Sequence, residues 1–487
     1  MAHMSETKIL AWNTAVQAFG KLASTALGVV MIALMTRSLG QDGFGMYTTA
    51  ITFYQIFALL LDLGINVMLV QLLGENRGDK AAEDRIVSAT FTLRVVSSLV
   101  LLTAVPLVGL ALNYPWELKL TLFAIWGSFL STALNQIVIG VQQRHLKMHV
   151  VAASEIIGRI VMVAGVAFAV FMGWGLVPIV ALISVGGFAN FAVNFWLARR
   201  LACFGWNWDP IFWKKLLHRA WPIGISIIFN LIYYRADTLI LSFVRPMSEV
   251  GIYGASYRVL EILITFPFMY AGVLLPLLAH SWATKDKPRF DRLMRNSYLA
   301  MMLLAAPLVV GTFVVGTPLM TLVAGNDFAS SGPILKILVI AVGIIFLGTV
   351  SSHAIVALDA QRKTMPLYIA VALATFAAYI LLIPTYGMYA AAWLTVLSEV
   401  TVAVGTTIIS LRLSGSSLPW TSLLKCMVAA LLMAIAIQPL KGLWLPIPIL
   451  SGAAIYIFLV LAFGTVSKDT LKDLLSFRRG TPPADAV

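Results

Sequence analysis

Apolar runs of about twenty residues recur along this chain almost without pause, and no other feature limits the fold as tightly. A run of that length crosses a hydrocarbon core of about 30 Å as an α-helix, because lipid offers no partner to backbone N–H and C=O groups and a helix satisfies them within one segment. The runs fall near 14–36, 44–70, 87–111, 119–141, 150–172, 175–197, 221–243, 252–279, 298–320, 334–357, 365–383, 387–411, 422–440 and 443–465. They predict an all-α membrane protein of about fourteen transmembrane helices. Composition agrees: 60% of the 487 residues are hydrophobic and 11% charged, against about 25% charged in soluble domains. The longest polar gaps, near 198–220 and 280–297, are too short for an additional catalytic domain.

The net charge of +13 does not point to nucleic acid, because the Lys and Arg residues sit in short gaps between apolar runs, where anionic lipid and membrane insertion select them. With the N-terminus inside, the cytoplasmic segments collect twenty-four basic residues, among them Lys80, Arg85, Arg144, Arg199, Arg200, Lys214, Lys215 and Arg289; the outer gaps hold Arg37, Lys119, Arg245 and Lys441. A miscounted helix would scramble every later gap, so this asymmetry supports the span count and places both termini in the cytoplasm, in a bacterial inner membrane. The first apolar stretch runs to Thr36 without a small-residue cleavage site and is expected to stay as the first helix. Cys203 and Cys426 lie far apart and read as inert thiols, not as a disulfide framework or metal site.

The chain also repeats itself. Gly45-Met46-Tyr47 after the first expected helix matches Gly251-Ile252-Tyr253 after the seventh, and Gln143-Arg144 after the fourth matches Gln361-Arg362 after the tenth. The matches lie six helices apart, which predicts two six-helix bundles related by a pseudo-twofold axis along the membrane normal. The expected organisation is a first bundle over 1–198, a cytoplasmic linker over 199–220, a second bundle over 221–412, accessory helices thirteen and fourteen over 413–466 and a cytoplasmic tail over 467–487.

The same stretches carry a family resemblance. Thr36-Arg37-Ser38-Leu39-Gly40-Gln41-Asp42-Gly43-Phe44-Gly45-Met46-Tyr47 is followed by Leu61-Asp62-Leu63-Gly64-Ile65. Arg235-Ala236-Asp237-Thr238-Leu239-Ile240-Leu241 precedes Val250-Gly251-Ile252-Tyr253-Gly254-Ala255-Ser256-Tyr257-Arg258, and Ile383-Pro384-Thr385-Tyr386-Gly387-Met388-Tyr389-Ala390-Ala391-Ala392-Trp393 precedes Ser398-Glu399. In order and spacing these segments resemble the polysaccharide transporter family, the O-antigen flippase type within the multidrug/oligosaccharidyl-lipid/polysaccharide exporter superfamily. The resemblance runs through helix twelve and is weakest over the last pair. It implies movement of a polyprenyl-diphosphate-linked oligosaccharide from the cytoplasmic to the outer leaflet by alternating access. The partners implied are that lipid-linked glycan, membrane lipids, and a glycan polymerase or glycosyltransferases of the same pathway.

Six basic residues fall inside expected spans: Lys21, Arg94, Arg159, Arg235, Arg258 and Lys336. A charge at the bilayer centre costs about 2.5–3.5 kcal/mol on insertion scales, so it faces protein or a wet cavity. A lipid diphosphate crossing the apolar layer needs cations of this kind, which makes Lys21, Arg159, Arg235 and Arg258 the candidate substrate-binding residues. Glu155, at i−4 from Arg159, and Glu261, at i+3 from Arg258, lie on the same helix faces as those arginines, so these pairs read equally as packing devices or as substrate contacts. Asp237 joins Glu155 and Glu261 as a candidate ion-coupling or charge partner, with helix packing the competing reading. Lys21 and Arg235 have no opposite charge on their own helix face, which favours function. Asp62, Arg94, Asp359 and Glu399 lie in inner portions of helices and read as interfacial or snorkelling groups, as does Lys336 at the outer side. His280 and His353 are isolated and read as packing or capping residues.

No phosphate-binding Lys-Ser/Thr loop, His-Glu-x-x-His or Asp-x-Asp pattern occurs, so the reading is a transporter with no catalytic residues, metal or cofactor. A multidrug or organic-cation exporter of the same superfamily is the main rival, although an apolar and acidic pocket would suit it better than surplus cations. A membrane-embedded glycan polymerase or transferase is the rival from another class, and it lacks a substantial loop for its chemistry.

Overall fold

The computed structural model describes residues 6–62, 64–76 and 78–465, excluding the side chains at 6–19, 22, 59 and 221–234. Arg77, the Lys8 side chain and the expected tail from 467 onward lie outside the described residues. The described chain is all helical: α1 (Glu6–Asp62), α2 (Ile65–Glu75), α3 (Lys80–Ala111), α4 (Trp116–Arg144), α5 (Met148–Phe171), α6 (Leu176–Ala198), α7 (Pro210–Val244), α8 (Met247–Ala283), α9 (Lys287–Ala324), α10 (Ser331–Ala357), α11 (Gln361–Ser414), α12 (Trp420–Ile437) and α13 (Pro446–Ala462). Ten helical segments among the described residues are long and apolar enough to cross a membrane. The chain is a multi-pass membrane protein.

Two helices are far too long for one crossing. α1 has 57 residues and α11 has 54, or roughly 80 Å each at 1.5 Å per residue. Each is interrupted at one glycine, Gly40 (φ 63°, ψ −170°) in α1 and Gly387 (φ 57°, ψ −139°) in α11. That corner of backbone space is open essentially to glycine alone. The hydropathy gaps at 36–44 and 383–387 expected these two interruptions.

A third interruption was not expected. The apolar run over 44–70 predicts one helix, but α1 ends at Asp62 and α2 starts at Ile65, with Gly64 in the left-handed conformation at φ 79°. Charged caps start the helices at polar gaps: the carboxylates of Asp79, Asp209 and Asp286 accept hydrogen bonds from the backbone N–H of Ala82, Phe212 and Arg289, each at 3.0 Å. These contacts satisfy donors that the first helical turn leaves free.

The chain forms two compact units, Met1–Gly254 and Ala255–Val487, which divide within α8. In the first unit, α1 packs on α3, α4, α5 and α7, while α6 packs on α4 and α5. In the second, α9 packs on α10, α12 and α13, and α10 lies along α11. The two glycines of the sequence repeat meet within the first unit. A Cβ on Gly45 would lie 1.9 Å from the Met247 carbonyl oxygen, and one on Gly251 would lie 2.0 Å from that of Gln41. The second arm of α1 and the start of α8 therefore cross backbone to backbone, which explains why the repeat carries glycine in both copies.

Candidate functional site

The α1–α5 seam gathers three of the charged residues singled out from the sequence. α1 approaches α5 closely at Gly20, where a Cβ would stand 2.9 Å from Ala152 Cβ. At the next residue of α1, Lys21 Nζ lies 3.9 Å from Glu155 Oε1, one turn beyond Ala152 on α5. Ser24, buried on α1, donates its hydroxyl to the same Oε1 at 2.8 Å and accepts from Arg159 Nε at 3.2 Å. Arg159 Nη1 also lies 3.8 Å from Met162 Sδ. A hydroxyl thus links carboxylate to guanidinium across two helices, in place of the Glu155–Arg159 contact that i,i+4 spacing suggests. Ser24 was missed in the sequence because a serine on an apolar helix carries no signal until its neighbour is known.

Two cations share one carboxylate here. The Lys21 side chain is 51% exposed and that of Glu155 is 30% exposed. Lys21 lies midway along the first arm of α1, so an exposed ammonium there needs water, because hydrocarbon would penalise it by about 2.5–3.5 kcal/mol. The seam can offer positive charge to an anion without first breaking a sealed ion pair.

Asp237 on α7 has a different environment. It is buried, and its carboxylate accepts hydrogen bonds from the Tyr253 hydroxyl on α8 and from the Thr238 backbone N–H and hydroxyl. These contacts tie α7 to the start of α8. Arg235, two residues earlier on the same helix, is half-buried. In the second unit, Arg258 and Glu261 form the ion pair expected from their i,i+3 spacing, at 2.7 Å, with both side chains about one-fifth exposed.

Arg94 overturns the snorkelling reading. Its side chain is 1% exposed, with Nη1 donating to the Leu61 carbonyl at 2.8 Å and Nη2 to Asp62 Oδ1 at 3.0 Å. It caps the end of α1 where the chain breaks before Gly64, supplying donors to backbone that the interrupted helix leaves open. Glu399 is likewise buried rather than interfacial, and Asp359 lies exposed in the turn between α10 and α11 with φ 51°. Lys336 lays its stem across α9, with Cγ 3.4 Å from where a Cβ on Gly316 would stand. His280 is exposed, and His353 Nδ1 lies 2.8 Å from the Thr349 carbonyl, one turn back on its own helix.

Comparison with known proteins gives the fold a context. The family described as polysaccharide biosynthesis protein matches residues 10–282. The probable flippase AglR of Haloferax volcanii is 22% identical, with 96% of this chain and 98% of that protein aligned. A Shigella flexneri protein named as an O-antigen transporter is 23% identical over 80% of this chain and 94% of its own. Among solved structures, the lipid II flippase MurJ in an inward closed conformation superposes with a TM-score of 0.77 at 15% identity, covering 95% of this chain and 100% of that one. An inward-facing multidrug resistance MATE family transporter of the MOP superfamily gives 0.65 at 13% identity, covering 84% and 99%. The chain therefore has the fold of these transporters.

Proposed function

Because this chain belongs to the polysaccharide biosynthesis protein family, we propose that it flips a polyprenyl-diphosphate-linked oligosaccharide from the cytoplasmic to the outer leaflet by alternating access. The observation that carries this reading is the α1–α5 seam, where Lys21 and Arg159 outnumber Glu155 and Lys21 stays open. A diphosphate leaving headgroup water loses solvation, and cations held at membrane depth offset that loss. Arg235 and Arg258 are the other cations assigned to the substrate path. Glu155, Asp237 and Glu261 act as charge partners or ion-coupling groups.

The names of the two relatives, a flippase and an O-antigen transporter, favour the same substrate class. The distribution of basic residues supports an inner-membrane chain with both termini in the cytoplasm. The sequence repeat supports fourteen crossings, arranged as bundles over 1–198 and 221–412, the linker over 199–220, the accessory pair over 413–466 and the tail over 467–487. A glycan polymerase or glycosyltransferases would act upstream or downstream of this step; the flippase itself breaks no covalent bond.

The multidrug-exporter reading has one observation in its favour, the shared fold. The experiment that separates the two uses proteoliposomes holding either a lipid-diphosphate oligosaccharide or an organic cation. Leaflet-specific detection of the glycan should show transfer by the wild type and little by Arg159→Ala. Transport of the cation alone, unaffected by Arg159→Ala, would overturn the flippase reading.

A further inference from the structure

The chain between α6 and α7 is fastened to α3 by a regular ladder. Backbone N–H groups of Cys203, Gly205 and Asn207 donate to the side chains of Asp84, Ser88 and Thr92, at 2.8, 3.1 and 2.9 Å. Two residues of extended chain advance about 6.6 Å and four residues of helix about 6.0 Å. The two repeats match closely enough for every second amide to meet every fourth side chain. Ser88 returns a bond to the Cys203 carbonyl at 2.9 Å, Lys80 reaches the Leu201 carbonyl, and the Trp213 indole donates to the Ala89 carbonyl at 2.9 Å. The strap is thus held by its own backbone.

That fastening fixes what the strap shows outward. Trp206 is 68% exposed, Trp208 59% and Ile211 73%, and a backbone pinned at 203, 205 and 207 cannot roll to bury them. The exposed cations Arg200, Lys214 and Lys215 flank them, with Arg200 stacked 4.6 Å over the Trp196 ring. The nearby acids are already engaged. Asp84 pairs with Lys80 at 3.0 Å, and Asp209 pairs with Arg85 at 2.8 Å while capping α7. The Phe212 amide and the Arg85 guanidinium hold the Asp209 carboxyl below the usual carboxylate range, so it stays ionised and occupied. Lys215 also acts on Asp209, but with Lys80 and Arg85 already paired to these two acids, positive charge stays in local excess. The strap covers residues 84–92 of α3, across the start of that helix's apolar run near 87, and the polar end of a spanning run is where headgroups are expected.

We propose that this strap is a binding surface for anionic phospholipid headgroups, with Trp206, Trp208 and Ile211 seated at the acyl boundary and Arg200, Lys214 and Lys215 contacting the phosphates. Indole rings partition to that boundary, and each basic residue near an anionic surface adds attraction. The surface is independent of the proposed transport substrate and does not rest on it.

Cys203 provides the test, since its thiol is exposed on the strap while Cys426 is buried. The full-length protein, labelled at Cys203 with bimane, is placed in phosphatidylcholine vesicles containing about 30% phosphatidylglycerol, with a headgroup nitroxide quencher carried on one lipid or the other. The expected result is quenching at least about threefold stronger from the phosphatidylglycerol carrier, as the attraction per cation implies. The triple variant R200Q/K214Q/K215Q should bring the two carriers to parity. W206A/W208A should weaken quenching from both. Equal quenching by the two carriers in the wild type, or a preference that survives R200Q/K214Q/K215Q, overturns the proposal. Absence of quenching from either carrier also overturns it and points to a protein partner at this surface. R200Q/K214Q/K215Q leaves the Phe212 amide and the α3 ladder untouched, and W206A/W208A keeps the backbone rungs but removes the ring contact of Trp208 with Trp213, so an unchanged elution profile is required before either change is read as a property of the surface.

Discussion

Arg94 and Arg159 are both arginines of the first unit, both inside apolar helices, and they do different work. Arg94 is sealed, 1% exposed, and bonded to one backbone carbonyl and one carboxylate at the break between α1 and α2. Arg159 sits half-buried in a seam where a serine hydroxyl links it to the single carboxylate that Lys21 meets directly. The difference teaches how to sort charges in a membrane protein. A cation whose donors meet frayed backbone belongs to the scaffold, whereas a seam with more cations than carboxylates and an open ammonium can attract an anion from outside. Hydropathy treats the two alike.

The largest expected effect is on stability, at Arg94. Arg94→Leu would leave the Leu61 carbonyl without its donor and Asp62 without its partner. Losing one member of a buried pair costs about 3–5 kcal/mol, and because the Asp62 side chain is 37% exposed and can rehydrate, the lower end, about 3 kcal/mol, is expected here. Thermal unfolding of purified protein in detergent measures it. A variant as stable as wild type would remove the scaffold role and erase the contrast with Arg159.

Transport should show the opposite pattern. Arg235→Ala is expected to abolish outward movement of a lipid-linked glycan, while Arg235→Lys retains part, since a diphosphate needs positive charge first and a bidentate fork second. Arg159→Ala should slow flipping by about tenfold, equivalent to about 1.4 kcal/mol, with stability changed by less than Arg94→Leu changes it. The readout is leaflet-specific detection in vesicles, normalised to protein abundance. If Arg159→Ala unfolds the protein while folded Arg94→Leu loses transport, the assignment of the two arginines is inverted.

The helices were legible because spanning segments announce themselves by length and apolarity, and the Arg258–Glu261 pair because i,i+3 spacing is a local rule. The kinks at Gly40 and Gly387 showed as short interruptions in hydropathy. What the sequence hid is what helices do to one another. Glu155 meets Lys21 from another helix, 134 positions away, so Lys21 looked unopposed. The break at Gly64 lies inside a continuous apolar run, and without it nothing suggests that Arg94 has backbone to satisfy. Ser24 became visible as part of the site only once α1 was packed on α5. The strap over 203–207 was hidden in the same way, since its ladder depends on an extended segment lying along a helix more than a hundred residues earlier.

Ser24 allows a finer test of the seam. Ser24→Ala removes a buried hydroxyl that accepts from Arg159 and donates to Glu155, so a loss of about 1 kcal/mol per net hydrogen bond is expected in stability. Both charges remain, and the surplus of positive charge is unchanged. Flipping should therefore fall less than in Arg159→Ala. A loss as complete as that of Arg159→Ala would mean that the orientation of the guanidinium, and not its charge, governs the step.

Lys336 should give the smallest effect, and it is the control that the comparison requires. It is a cation inside an expected span, as Arg94 and Arg159 are, but no backbone break lies beside it in sequence and, among the described residues, no carboxylate pairs with it as Glu155 does with Lys21. Its stem packs across Gly316 of α9, and its place near the N-terminal end of α10 lets the ammonium reach headgroup water at little cost. Lys336→Ala should leave both unfolding temperature and flipping rate near wild type, since it removes methylenes from a helix surface and one solvated charge. Measuring both on the same preparation as Arg94→Leu and Arg159→Ala sets the scale for what removal of an intramembrane cation costs by itself. A strong loss of flipping in folded Lys336→Ala would place the decisive charge at the outer exit instead of the α1–α5 seam.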